Sequence, residues 1–143
     1  MYHNASSAKR GILFGNYNLS GASGGFNLEI KANNSFRFWW LGSPDWETGV
    51  TLELKTWIHI CIVYDGTKIK VYKNGILGAT RNGTLSTASF TSNFQIGKDS
   101  RDGSSSTPFL GYISDFRIYD NALSSKEIYE ISKGLMLHWK LDD

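Results

Sequence analysis

The sequence predicts an all-β fold: an antiparallel β-sandwich of the jelly-roll kind with one short C-terminal helix. Three features carry this expectation. Residues 57–75 read as two strands broken at Asp65-Gly66-Thr67 and closed by a second turn at Asn74-Gly75. Short apolar or alternating runs bounded by Gly, Asn, Asp and Ser recur along the chain, on the order of ten of them. A single helix signature stands near the C-terminus.

Met1 to Asn4 read as the tail of a preceding strand, and residues 11–15, Gly-Ile-Leu-Phe-Gly, as a short buried strand between glycines. Residues 16–25 are a loop. Residues 26–30 alternate with Phe26, Leu28 and Ile30 inward, and Asn33-Asn34 turns the chain. Residues 35–41 form a strand aromatic on both faces, so at least one large ring must lie on the side opposite the core. Residues 42–49 are expected as a surface loop carrying Trp46, and residues 50–54 alternate again.

In residues 57–64, Trp57, His59, Cys61 and Val63 alternate with Ile58, Ile60, Ile62 and Tyr64. A strand apolar on both faces belongs in the middle of a sheet covered on both sides. The next strand turns Ile69 and Val71 inward, with Lys68, Lys70, Tyr72 and Lys73 facing solvent or lying near it. Residues 76–80 should pair back on it, with residues 81–84 as a turn. Residues 94–97 are a short strand, followed by a polar loop over residues 98–107 of a length that is usually either functional or mobile. Residues 109–119 read as one long strand. Ser124 with Glu127 three residues on is a capping box, Ile128 and Ile131 share a face, and Gly134 ends the helix. Residues 135–141 form a last strand.

A chain of 143 residues, 41% hydrophobic and 14% aromatic, is enough for a single domain with one core and no need of disulfides or metals. The net charge of +2, spread along the chain, offers no basic stripe for nucleic acid. No apolar run reaches the roughly twenty residues of a membrane span, and the first residues lack a signal-peptide core. The one cysteine, Cys61, lies in the most apolar strand and reads as an inert core thiol. Four Asn-x-Ser/Thr sequons begin at Asn4, Asn18, Asn33 and Asn82; polar loops produce them by chance.

Several stretches taken in order resemble the signatures of the laminin G-like, concanavalin A-like jelly-roll domain. They are residues 57–66, 70–75, 94–97 and 109–124, with Glu127-Ile128. The resemblance spans residues 11–133. It implies two curved antiparallel sheets, with binding on the concave face or in rim loops, in extracellular adhesion proteins, carbohydrate-binding modules, and bacterial or phage surface proteins. The fold alone does not name the ligand. Residues 1–133 make up the domain, whereas residues 134–143 resemble the strand with which family members usually open. Either that strand starts a next repeat, or it supplies an edge strand, within the chain or by exchange with a neighbour to give a homo-oligomer.

No catalytic constellation emerges. The Glu-x-Asp-x-x-Glu strand of glucanases with this fold is absent, Asp45 and Glu47 flank Trp46 without a third acidic group, and His3, His59 and His138 lack metal-ligand spacing. An enzyme is not expected; a hydrolase acting through Asp45 or Glu47 is the weakest alternative. Sugar rings stack on aromatic faces while amides and charged groups take their hydroxyls, which makes Tyr17, Asn18, Trp40, Trp46 and Arg81 the candidate ligand-binding residues. Asp99 and Asp102, interleaved with Lys98 and Arg101, are candidate calcium ligands, an ion found in relatives of the fold. The expected function is a non-enzymatic binding or adhesion module, carbohydrate-directed, of an extracellular or virion surface protein. The alternative is a structural assembly or decoration module that contacts protein and binds no glycan.

Overall fold

The computed structural model describes residues 1–3, 11–16, 25–40, 44–85, 94–98 and 108–134. The strands are β1 (Tyr2–His3), β2 (Gly11–Gly15), β3 (Phe26–Ile30), β4 (Ser35–Trp40), β5 (Trp46–Thr51), β6 (Ile60–Tyr64), β7 (Lys68–Lys73), β8 (Ile76–Asn82), β9 (Gln95–Ile96) and β10 (Gly111–Tyr112). One helix, α1 (Ser125–Ser132), follows. A five-stranded sheet in the order β5-β4-β3-β2-β9 faces a three-stranded sheet β6-β7-β8, and β1 pairs with β10. Every named strand pair is antiparallel.

The core lies between the two larger sheets, where Leu28, Ile30, Phe36 and Phe38 meet Ile69 and Val71. Burying such side chains is the main stabilising term, about 1.5–3 kcal/mol each. In β2 the register slips between Ile12, opposite Glu29, and Phe14, opposite Leu28. The extra residue of this bulge, Leu13, also turns into the core. The hairpin predicted around residue 66 is present: Asp65 Oδ1 accepts from the Thr67 and Lys68 amides at 3.1 and 2.8 Å. Lys70 and these amides hold the Asp65 carboxyl well below the usual carboxylate range.

Four expectations are corrected. Residues 46–51 form strand β5, so Trp46 sits in a sheet instead of a loop. Arg81 and Asn82 extend β8 and do not form a turn. Tyr72 is buried with Val63 and Ile128, because α1 covers the face of β6 and β7 that the lysine-rich pattern assigned to solvent. Residues 109–119 give only the two-residue β10. The capping box holds, with the Ser124 and Glu127 side chains each bonding the other's backbone amide.

Candidate functional site

The alternation of β3 and β4 sorts their side chains onto two faces. Phe26, Leu28 and Ile30, with Phe36, Phe38 and Trp40, point into the core. Asn27 and Glu29, with Arg37 and Trp39, therefore occupy the outer face. The register places Asn27 opposite Trp39 and Glu29 opposite Arg37, and Arg37 in turn opposite Glu47 on β5. Directly opposed residues of an antiparallel pair share a face, so these five side chains form one polar and aromatic patch.

A charged network runs through it. Arg37 donates through Nε to Glu29 and through its terminal nitrogen to Asp45 Oδ2 at 2.6 Å. Lys31 pairs with Glu47. Glu29 is fully buried, while Asp45 and Glu47 stand at the open rim. A carboxylate withdrawn from water is tolerable because a guanidinium meets it directly. Asp45 and Glu47 are each matched by a cation, an arrangement suited to holding a surface together and not to presenting a free acid and nucleophile.

Asn27 is the anomaly. Its side chain is completely buried, yet among the described residues neither its amide nitrogen nor its amide oxygen has a hydrogen-bond partner. A buried unpaired polar group costs about 1–3 kcal/mol. Gly15, opposite Asn27 on β2, makes room for it: a Cβ there would overlap Asn27 Oδ1 and the Phe26 carbonyl oxygen.

Three of the five side chains predicted to bind ligand come together elsewhere. Arg81 lies over the Trp40 ring with its guanidinium carbon 5.2 Å from the centroid, and donates to the Pro44 carbonyl at 3.1 Å. Trp40 is only 4% exposed and belongs to the core, while Trp46, opposite Phe38, is half-buried against that core. The face of Trp40 is thus taken by Arg81 in a cation–π contact. Tyr17, Asn18, Asp99 and Asp102 lie outside the described residues. Among the described residues no group of three or more His, Cys, Asp or Glu is placed to hold a metal.

Sequence reasoning missed Asn27, Glu29, Arg37 and Trp39. The signal was present, because the inward phase of Phe26, Leu28 and Ile30 puts Asn27 and Glu29 outside. The same phase in β4, with Phe36, Phe38 and Trp40 on one side, assigns Trp39 to the other. Cys61 is a wall residue whose thiol burial pushes up to about 11, in keeping with an inert side chain.

Among solved structures, the chain is similar to a native heptameric SAP-like pentraxin from Limulus polyphemus, with a TM-score of 0.63 and 18% identity over 90% of this chain and 65% of that one. It is also similar to a candidate carbohydrate-binding protein from Bacteroides ovatus, with a TM-score of 0.67 and 18% identity over 90% of this chain and 38% of the other. A third neighbour is an S-layer domain-containing protein from Clostridium thermocellum, with a TM-score of 0.51 and 23% identity over 92% and 67%. The chain thus spans about two thirds or less of its neighbours' lengths. A search of curated protein sequences returns no match. The family model of the concanavalin A-like lectin/glucanases superfamily matches residues 1–129, and with the two antiparallel sheets in place the chain belongs to that superfamily.

Proposed function

We propose that this chain is a non-catalytic carbohydrate-binding or adhesion module of a surface-exposed or secreted protein, and that its ligand is held by the outer face of β3, β4 and β5. The observation that carries the reading is Asn27, a buried amide without a partner, beside the Glu29–Arg37 pair and Trp39. An unpaired buried amide is a standing cost that a ligand hydroxyl, able both to donate and to accept, would remove. Arg37, Asp45 and Glu47 at the rim supply further hydroxyl-binding groups, and the mostly buried Trp39 an apolar wall beside Asn27 and not an open stacking face. The candidate carbohydrate-binding protein and the S-layer protein among the structural neighbours support the class of ligand and the surface setting. Tyr17 and Asn18 are included as loop contacts and Asp99 and Asp102 as calcium ligands, whereas Trp46 and Arg81 lie on the core side of the sheet, with Phe38 and Trp40, and take no part in the outer-face site.

A glycan array followed by calorimetry, with calcium or with EDTA, tests the reading. Asn27→Ala is expected to leave thermal stability unchanged or raised while affinity falls about tenfold, or ~1.4 kcal/mol. An array blank with folded protein would favour the structural, protein-contacting role.

A further inference from the structure

Trp57, Tyr2 and Tyr112 form an exposed row of aromatic rings. Tyr2 is bridged to Trp57 on one side and paired with Tyr112 on the other, antiparallel to both. Directly opposed residues share a face, so the three rings stand side by side across three neighbouring backbone stretches. Ile58 and Ile113, next in sequence to Trp57 and Tyr112, pack into the core, and side chains alternate along an extended chain. The row therefore faces outward, with Trp57 55% and Tyr112 61% exposed. A Cβ on Gly111 would overlap the Tyr2 carbonyl oxygen; the glycine lets β10 come close enough to lay Tyr112 beside Tyr2.

Three contiguous rings are a patch and not a stray exposed side chain. The patch is too small for a protein partner. Aromatic side chains offer about 150–250 Å² each, so the exposed parts of three rings come to less than about 400 Å², half of the ~800 Å² per partner in a stable protein interface. A narrow ligand that presents apolar faces in line fits it better. A sugar ring is such a unit: its C–H face stacks on an aromatic ring while its hydroxyls take hydrogen bonds at the edge. The two phenol hydroxyls and the Trp57 indole N–H supply such edge groups.

The line of the row decides the class of chain. Opposed residues on neighbouring strands lie along a line across the strands, stepping about 4.7–4.9 Å at the backbone. The ring centroids are 5.8 Å apart between Tyr2 and Trp57 and 5.9 Å between Tyr2 and Tyr112. Successive rings of an extended, β-linked glycan are spaced on this scale, whereas a coiled glycan would leave the line. Each outer ring is tilted 47° from Tyr2, which suits a single chain that twists and not the flat face of an insoluble crystal. We propose that Trp57, Tyr2 and Tyr112 are a second glycan site, a stacking platform for an extended β-linked oligosaccharide laid across the strands. It goes beyond the outer face of β3, β4 and β5 and does not depend on it.

Calorimetry and NMR of the full chain with cellohexaose, xylohexaose, mannohexaose and chitohexaose test the platform. At least one is expected to bind and to shift the Trp57 indole resonance, a readout that needs no substitution. Affinity should rise with chain length up to the trisaccharide that covers the three rings and then level off. Trp57→Ala and Tyr112→Ala, both at exposed positions, should each weaken binding about tenfold with unchanged circular dichroism. Trp57→Phe and Tyr112→Phe keep a ring and should lose less than about threefold. Tyr129→Ala removes an exposed ring outside the row and should leave the affinity as it was. Four results would each overturn the proposal. One is folded protein that binds none of the four oligosaccharides. Another is binding that survives Trp57→Ala/Tyr112→Ala; if the Asn27 resonances move instead, the outer-face site stands and the platform falls. The third is an equal loss in Tyr129→Ala. The last is self-association in light scattering that Trp57→Ala/Tyr112→Ala releases, which makes the row a contact between copies.

Discussion

Replacing Arg37 by Met isolates the electrostatic centre of the outer face. The Arg37 side chain is 18% exposed and Glu29 is fully buried, so the substitution strands a carboxylate away from water. Removing one partner of a buried ion pair costs about 3–5 kcal/mol; because Glu29 keeps a further interaction, the lower end, about 3 kcal/mol, applies. With a urea dependence of about 2 kcal/mol per molar, the unfolding midpoint should fall by about 1.5 M. Tryptophan fluorescence during urea unfolding reads this directly. Glu29→Met/Arg37→Met removes both charges and should lie within about 1 kcal/mol of the starting protein, since the desolvation cost disappears with the pair. A change of less than about 0.5 kcal/mol for Arg37→Met alone would show that the buried Glu29 carboxylate does not depend on Arg37.

Burial first, and then the nearby Met1 ammonium, lower the His59 pKa below its ordinary value; Asp115 opposes and Arg117 reinforces the shift. The unfolded chain therefore binds this proton first: stability is unaffected above about pH 6.5 and declines as the pH falls from there toward the folded value. His59→Gln should flatten that decline in melting curves taken between pH 7 and 5; an unchanged slope would assign it to other groups. Gly75 has φ +79 and a Cβ there would stand 2.9 Å from the Tyr129 Cα. Gly75→Ala should thus cost at least about 1 kcal/mol, whereas Gly66→Ala, strained but with open space around it, should cost less; equal melting temperatures would contradict this. Ser124→Ala removes the cap of α1 and should cost about 1 kcal/mol in the same assay.

Much of the fold can be read from alternation. Phe26, Leu28 and Ile30 set the inward phase of β3, and Asp65-Gly66 and Asn74-Gly75 mark the ends of β7. The site is only partly legible. Trp39 and Trp40 are adjacent in sequence and identical in type, so composition cannot tell which faces the core; only the phase set by Phe36 and Phe38 does. The unpaired Asn27 amide depends on Gly15 across the strand pair, a contact that spacing along the chain does not reveal. Tyr72 reads as exposed between Lys70 and Lys73 until α1, distant in sequence, is laid over it. Residues 109–119 have the alternation of a long strand, but among the described residues only Gly111 and Tyr112 pair, with β1, because a strand needs a partner that alternation alone does not supply.

The most direct test of the outer-face site is the side-chain amide of Asn27, followed by nitrogen-15 NMR while an oligosaccharide from the array is titrated in. The prediction is a large shift of the Asn27 side-chain resonances together with the Trp39 indole, saturating at the calorimetric stoichiometry and absent in Arg37→Met. A saturating titration that moved resonances elsewhere and left Asn27 and Trp39 in place would contradict it.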